Sequence, residues 1–423
     1  MKRRAFLLAP LLVVALIGAA CGSNTKSGDS AASPTSSGKA DLASATTKTG
    51  ASDLRAGLTG LLGEHVFLAS EATGAALRGD TKSFEAYAAA LNGPTNSNTA
   101  DLTAAITSAY GNDVGKAFDG LWRSNGHIPA FVAYTQATAK GDKAGQQKAI
   151  ADLTAYAKTV GTTLNSVNSN LPADVVTQMI TMHATTLIAV IDAQKAGDET
   201  KVYSSLRMAY HHMDGLATAL AGATAKKFPM KFTGDAASPA ATLRAGMTSL
   251  LREHVFLAAS ATGGALGGRM EQFTAAAGAL NGPTSSNTTD IVGAITSVYG
   301  NDVGKAFDGL WRSNGHIPAF VAYTQATAKG DKAGQDKALA DLTSYAKTFG
   351  TTLNSVNSNL PADAVTKDLS MHASTLIAVI NAQKAGDATQ TATALREAVK
   401  HMSGTADVLS EATVQKFPEK FKG

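Results

Sequence analysis

The stretch YGNDVGKAFDGLWRSNGHIPAFVAYTQATAKGDKAGQ occurs twice, from Tyr110 to Gln146 and from Tyr299 to Gln335, without a changed letter. These 37 residues belong to a longer repeat at a constant offset of 189 positions. LRAGLTGLLGEHVFLA at Leu54 returns as LRAGMTSLLREHVFLA at Leu243, and KFPMKF at Lys227 returns as KFPEKF at Lys416. A period this long exceeds the roughly 20–50 residues of a solenoid unit, so it predicts a duplicated globular domain. The boundaries read as 52–232 and 241–421, joined by a linker at 233–240.

Each copy reads as all-α. Leu54, Leu58, Leu61, His65, Leu68 and Ala72 recur at three- and four-residue spacing, which lines up one face of a helix. NGPTNSNT reads as a loop with Asn98 or Thr99 as the cap of the next helix. A longer helix is expected from Asn112, kinked by Pro129, whose ring lacks the backbone donor and crowds the preceding turn. KGDKAG, NSNLPAD and Gly197–Asp198 mark later breaks, with Pro172 suited to a first turn. Strand-type alternation is absent. The expected fold is two tandem antiparallel helix bundles of five to seven helices each.

The N-terminus reads differently. A basic start (Lys2, Arg3, Arg4) precedes an apolar run from Ala5 to about Ile17, then small residues, then Cys21, the only cysteine. This is the layout of a secretory signal, too short for a comfortable membrane span. IGAAC resembles a bacterial lipoprotein signal, although Gly18 stands where such signals usually carry leucine. The resemblance implies cleavage of 1–20 and a lipidated Cys21, which places the chain on the outer side of the cytoplasmic membrane or in the periplasm. Residues 21–51, rich in Ser, Thr, Gly and Lys, carry too little apolar surface to fold and read as a flexible tether. Losing the three N-terminal cations lowers the formal charge from +4 to +1. Nothing then remains of an electrostatic footprint for nucleic acid, and the lipid anchor is the one membrane contact expected. The body, with EHVFLA, LWRSNGHIPAFVAYT, MHATTLIAVIDA and HM, resembles uncharacterised helical repeat domains of bacterial envelope proteins. That resemblance implies a location and a fold rather than an activity.

Histidine carries the functional question. Eight of nine histidines form four pairs at the repeat offset: His65 with His254, His127 with His316, His183 with His372, and His212 with His401. Only His211 has no counterpart, since Lys400 occupies that place. His65 and His183 lie on apolar stripes, the second among Val176, Met179, Ile180, Leu187, Val190 and Ile191. Imidazoles from separate helices pointing into one bundle can build a metal or haem site. A lone histidine on an apolar face is more commonly a packed residue bonded to a carbonyl. The last helix of each copy has drifted: between Lys201 and Phe232, 15 of 32 positions match their counterparts, and His212 and Met213 are among them.

No Glu-x-x-His pair on two helices supports a di-iron site, since Glu64 and Glu253 sit directly beside histidine, about 100° around the helix. With no H-E-x-x-H and no cysteine pattern, what remains is an imidazole-rich site. Such ligands suit copper, zinc, iron or haem, with thioether help from Met182, Met213, Met371 and Met402 tilting the choice toward copper(I) or haem iron. Glu64 with Arg123, and Glu253 with Arg312, read as interhelix ion pairs or as groups orienting a histidine. No nucleophile elbow, P-loop or dinucleotide fingerprint is present. Two functions compete: a metal- or haem-binding envelope lipoprotein using His65, His127, His183, His212, His254, His316, His372 and His401, or a non-catalytic helical scaffold whose histidines are only packed.

Overall fold

The computed structural model describes residues 45–123, 126–312 and 315–422. The segment expected to be a signal, the expected lipidation site Cys21 and most of the stretch read as a tether lie outside them. Among the described residues the chain is all-helical, with sixteen α-helices and one closing 3₁₀ turn at Pro418–Lys420. The first eight are α1 (Gly50–Arg78), α2 (Thr81–Asn92), α3 (Asn98–Tyr110), α4 (Asn112–Arg123), α5 (His127–Lys140), α6 (Lys143–Val167), α7 (Ala173–Ala196) and α8 (Glu199–Lys227). The next eight repeat this order: α9 (Pro239–Leu266), α10 (Met270–Asn281), α11 (Asn287–Tyr299), α12 (Asn301–Arg312), α13 (His316–Lys329), α14 (Lys332–Val356), α15 (Ala362–Ala385) and α16 (Ala388–Lys416). Eight helices per half exceed the five to seven expected, because α2 is separate from α1 and α4 from α5.

The turns explain the topology. Gly79–Asp80, Gly141–Asp142 and Gly197–Asp198 use one device. The glycine closes the finished helix in the left-handed region, where it has no Cβ penalty. The aspartate then caps the next helix, its carboxylate accepting from the backbone N–H of Ser83, Gly145 or Lys201. Two-residue junctions of this kind fold neighbouring helices back on each other. Ser97, rather than Asn98 or Thr99, caps α3. The helix begun at Asn112 ends at Arg123, and Pro129 lies in the first turn of α5 instead of kinking a longer rod. Proline is tolerated there because first-turn N–H groups have no intrahelical partner.

The low charge content is offset by hydroxyls. Exposed threonines such as Thr154, Thr181 and Thr185 return their hydroxyl hydrogens to carbonyls four residues back, at 2.8–2.9 Å.

Within the first half α1 is central, packing on α2, α7 and α8; α9 plays that part in the second half with α10, α15 and α16. The halves meet along α1 and α9, with α2 against α16 and α8 against α10, so one apolar core runs through both. Phe67 and Phe256, 189 positions apart, stack at the centre of the seam at 4.4 Å and 6°. The described residues begin inside the stretch read as tether. Glu411 accepts hydrogen bonds from the Thr47 backbone N–H (2.8 Å) and hydroxyl (2.6 Å), and α1 starts at Gly50.

Candidate metal centre

Three helices of each half bring one histidine apiece to a common point. In the first half these are His65 from the middle of α1, His127 from the first residue of α5 and His183 from α7. All three are at least 95% buried. His65 Nε2 and His127 Nε2 lie 3.1 Å apart, and one nitrogen from each of the three rings falls within 4.8 Å of the others. His254, His316 and His372 repeat this with the same 3.1 Å contact between the first two.

Local structure fixes each ring. α1 and α7 carry theirs on core-facing stripes, as the spacing requires. His127 depends on the break between α4 and α5. Gly126 there passes so close to α4 that an added Cβ would sit 2.1 Å from the Trp122 carbonyl oxygen, so only glycine allows the approach. The same break brings the Trp122 ring to 4.7 Å from His127 and 5.2 Å from His65. Tyr156 from α6 stacks on His127 at 5.0 Å, and Phe131 lies 6.0 Å from His183. Tyr156 and its twin Tyr345 were not singled out in the sequence: a tyrosine on an ordinary core stripe carries no mark of its neighbour.

Burial governs the charge state. It removes water from the imidazolium and pulls His65 down to about 4 and His183 to about 3. His127 falls well below its ordinary value, from burial first and then from its two neighbouring imidazoles. His254, His316 and His372 follow the same pattern for the same reasons. Six neutral imidazoles are thus present at neutral pH, which is the ligating form.

Their hydrogen bonding does not close. One imidazole N–H can donate across the 3.1 Å contact, but that leaves the far nitrogens bare. His65 Nδ1, His127 Nδ1 and both ring nitrogens of His183 are buried without a partner, as are Trp122 Nε1 and the Tyr156 hydroxyl beside them. Buried polar groups are normally paired, and each orphan costs about 1–3 kcal/mol. So many at one point call for a missing partner. Asn98, whose amide donates to the Leu61 carbonyl at 2.8 Å, neighbours His65 and favours its charged form, though short of hydrogen-bond geometry. Its oxygen is free to hold a His65 Nδ1–H when Nε2 faces a ligand, the usual orienting arrangement.

The fourth pair stays outside. His212 Nε2 meets the Met179 carbonyl at 2.9 Å, and His401 Nε2 meets the Asp368 carbonyl at 3.2 Å. These rings sit one step behind His183 and His372 and add to their pKa depression. Met213 and Met402 are buried core residues, while Met182 and Met371 are about half exposed, at 48% and 50%.

Glu64 and Glu253 do not turn toward the imidazoles. Glu64 pairs with Arg252 (2.9 Å) and Arg396 across the seam, and Glu253 pairs with Arg207 (2.9 Å) and His211 (3.3 Å). The pairing expected with Arg123 and Arg312 is therefore replaced. Those arginines bond Asp119 and Asp308 one turn away, each at 2.7 Å, and the carbonyls of Asn92 and Asn281. The cause is the 100° step between adjacent helix positions: His65 faces its own half, and Glu64 faces the other.

Comparison with protein-family models, curated proteins and solved structures found no match.

Proposed function

We propose that this protein is an extracytoplasmic lipoprotein that binds a metal ion in each half through three neutral imidazoles: His65, His127 and His183 in one, His254, His316 and His372 in the other. The observation that carries the reading is the convergence of three buried ring nitrogens within 4.8 Å, next to polar atoms that nothing in the protein satisfies. With metal–nitrogen bonds of about 2.0 Å, ligand nitrogens stand about 3.3–3.5 Å apart. Small rotations of the three rings meet that demand. A bare ion suits the geometry better than haem, which takes at most two axial nitrogens on opposite faces of a broad planar ring.

Charge selects the ion. The imidazoles are neutral, and the nearest acidic residues in sequence, Glu64 and Glu253, are engaged by two cationic groups each. A dication would bring its full charge into a buried, aromatic-walled pocket, at a cost that rises steeply with charge. A monovalent ion brings half as much. Imidazole is a good ligand for copper, so copper(I) is the preferred ion and zinc(II), with a bound hydroxide to lower the charge, is second. No step of catalysis is required of such a site; storage or transfer of copper outside the cytoplasmic membrane is the role it fits. The sequence resemblance at Cys21 supports the location, and a Cys21→Ala chain released from the membrane fraction is the result expected.

The test is an anaerobic copper(I) titration of the full chain against a competing chromophoric chelator. Two ions per chain are expected, one after His183→Leu and none after His183→Leu with His372→Leu. A chain that takes no ion, or whose stoichiometry ignores these substitutions, would leave the histidines as packing residues like His212.

A further inference from the structure

In the second half the imidazole cluster does not end in solid core. A cavity of about 470 Å³ lies against it, walled by α9, α11, α12, α14, α15 and α16, and His254, His316 and His372 all line it. This volume falls in the roughly 300–1,000 Å³ range of sites for small organic ligands. It is far larger than one ion needs. Its walls are apolar almost throughout: Phe307, Trp311 and Phe349 supply aromatic surface, and Ile295 and Leu310 reach it only partly buried. The two charged side chains on its lining, Lys367 and Asp368, carry opposite signs. Water gains little in such a space, and the walls gain burial when an apolar body fills it.

Among its polar lining residues, three imidazoles meet at one point, and one of them offers a nitrogen toward the cavity. His183 in the first half has both ring nitrogens sealed and unpartnered, whereas at His372 only Nδ1 is sealed in this way. His372 lines the cavity. A neutral imidazole can donate a hydrogen bond to a ligand oxygen or nitrogen. We infer that the second half binds an uncharged, largely apolar and aromatic small molecule in this cavity, its single acceptor atom set against His372. The site shares His372 with the metal reading, so an ion and the acceptor atom would compete for that ring; the cavity walls do not depend on an ion, and the test is therefore made on the metal-free chain.

Benzophenone and diphenylmethane, alike in shape but differing by a carbonyl, are suitable probes for the metal-stripped full chain. Trp122→Phe leaves Trp311, on the cavity wall, as the single indole. Saturable quenching of its fluorescence by benzophenone at one equivalent per chain is expected, with diphenylmethane binding about tenfold more weakly by displacement. Ala294→Phe, which fills the cavity from α11, should weaken both probes at least tenfold while the helical circular dichroism is retained. His372→Leu should abolish the preference for the carbonyl and keep the binding of diphenylmethane. Absence of saturable quenching, or unchanged affinity in a folded Ala294→Phe chain, would overturn the site. Equal binding of the two probes to the parent chain would overturn the role given to His372.

Discussion

Acid should unfold the metal-free protein well before its carboxylates explain it. A histidine in an unfolded chain titrates near 6.5, whereas burial holds folded His65 and His254 near 4 and His183 and His372 near 3. Folded values lie below unfolded ones, so the unfolded state binds more protons in between. The stability these groups contribute is complete above about pH 6.5 and is lost as the pH falls toward 4 and then 3. At pH 4 each depressed histidine costs about 3–3.5 kcal/mol, from roughly 1.4 kcal/mol per pH unit over about 2.5 units, the lower figure for the pair near 4 that is itself half-protonated there. Four of them approach the whole stability of an ordinary domain, about 5–15 kcal/mol. Guanidinium unfolding followed by circular dichroism between pH 7.5 and 4.5, in the presence of a chelator, measures this. The free energy should fall with a steepening slope below pH 6.5, and His183→Leu with His372→Leu should reduce that slope by about a third. Stability that stays level from pH 7.5 to 4.5 would refute the reasoning, because six buried neutral imidazoles cannot be indifferent to protons.

Other outcomes follow from the seam and the helix packing. Gly63→Ala should destabilise by about 1–3 kcal/mol in thermal or denaturant unfolding, since the new Cβ would stand 2.4 Å from the Tyr210 ring. Adding Tyr210→Val, the residue its counterpart Val399 already is, should recover much of the loss. Glu64→Leu should cost about 3–5 kcal/mol by leaving Arg252 and Arg396 without their shared carboxylate, and Glu64→Leu with Arg252→Leu should cost less than the single change. Asn168→Ala should cost about 1–3 kcal/mol, because its amide joins the Tyr110 hydroxyl (3.0 Å) to the Ala223 carbonyl (2.9 Å). Copper(I) at a hundredfold excess over its dissociation constant should raise stability by about 2.7 kcal/mol per site.

Much of this architecture was legible because its signals are local. Apolar spacing marks α1 and α7, Gly–Asp pairs mark turns, and a constant offset matches helix to helix. Pro129 misled because proline marks a discontinuity without saying on which side of it the chain breaks; Gly126, crowded by a carbonyl from α4, shows that the break comes first. At the site, His65 and His183 were readable as inward-facing, but which histidines meet depends on the angle between helices. His212 shares the spacing of a core residue and still ends on the Met179 carbonyl. Glu64 beside His65 looked like a partner for Arg123, and neither sequence distance nor charge shows that its true partners, Arg252 and Arg396, come from the other half. Arg252 stands where the first half has Gly63, and Val399 where it has Tyr210. The two halves are thus shaped to each other along the seam, by complementary changes that matter only once the halves are docked.

The most direct test of the central claim is the coordination shell itself. X-ray absorption at the copper edge of the full chain loaded with two equivalents of copper(I) should show about three nitrogen neighbours near 2.0 Å, with the outer-shell scattering pattern of imidazole rings. A shell dominated by oxygen or sulfur, or one unaltered when His183 and His372 are replaced by leucine, would contradict it.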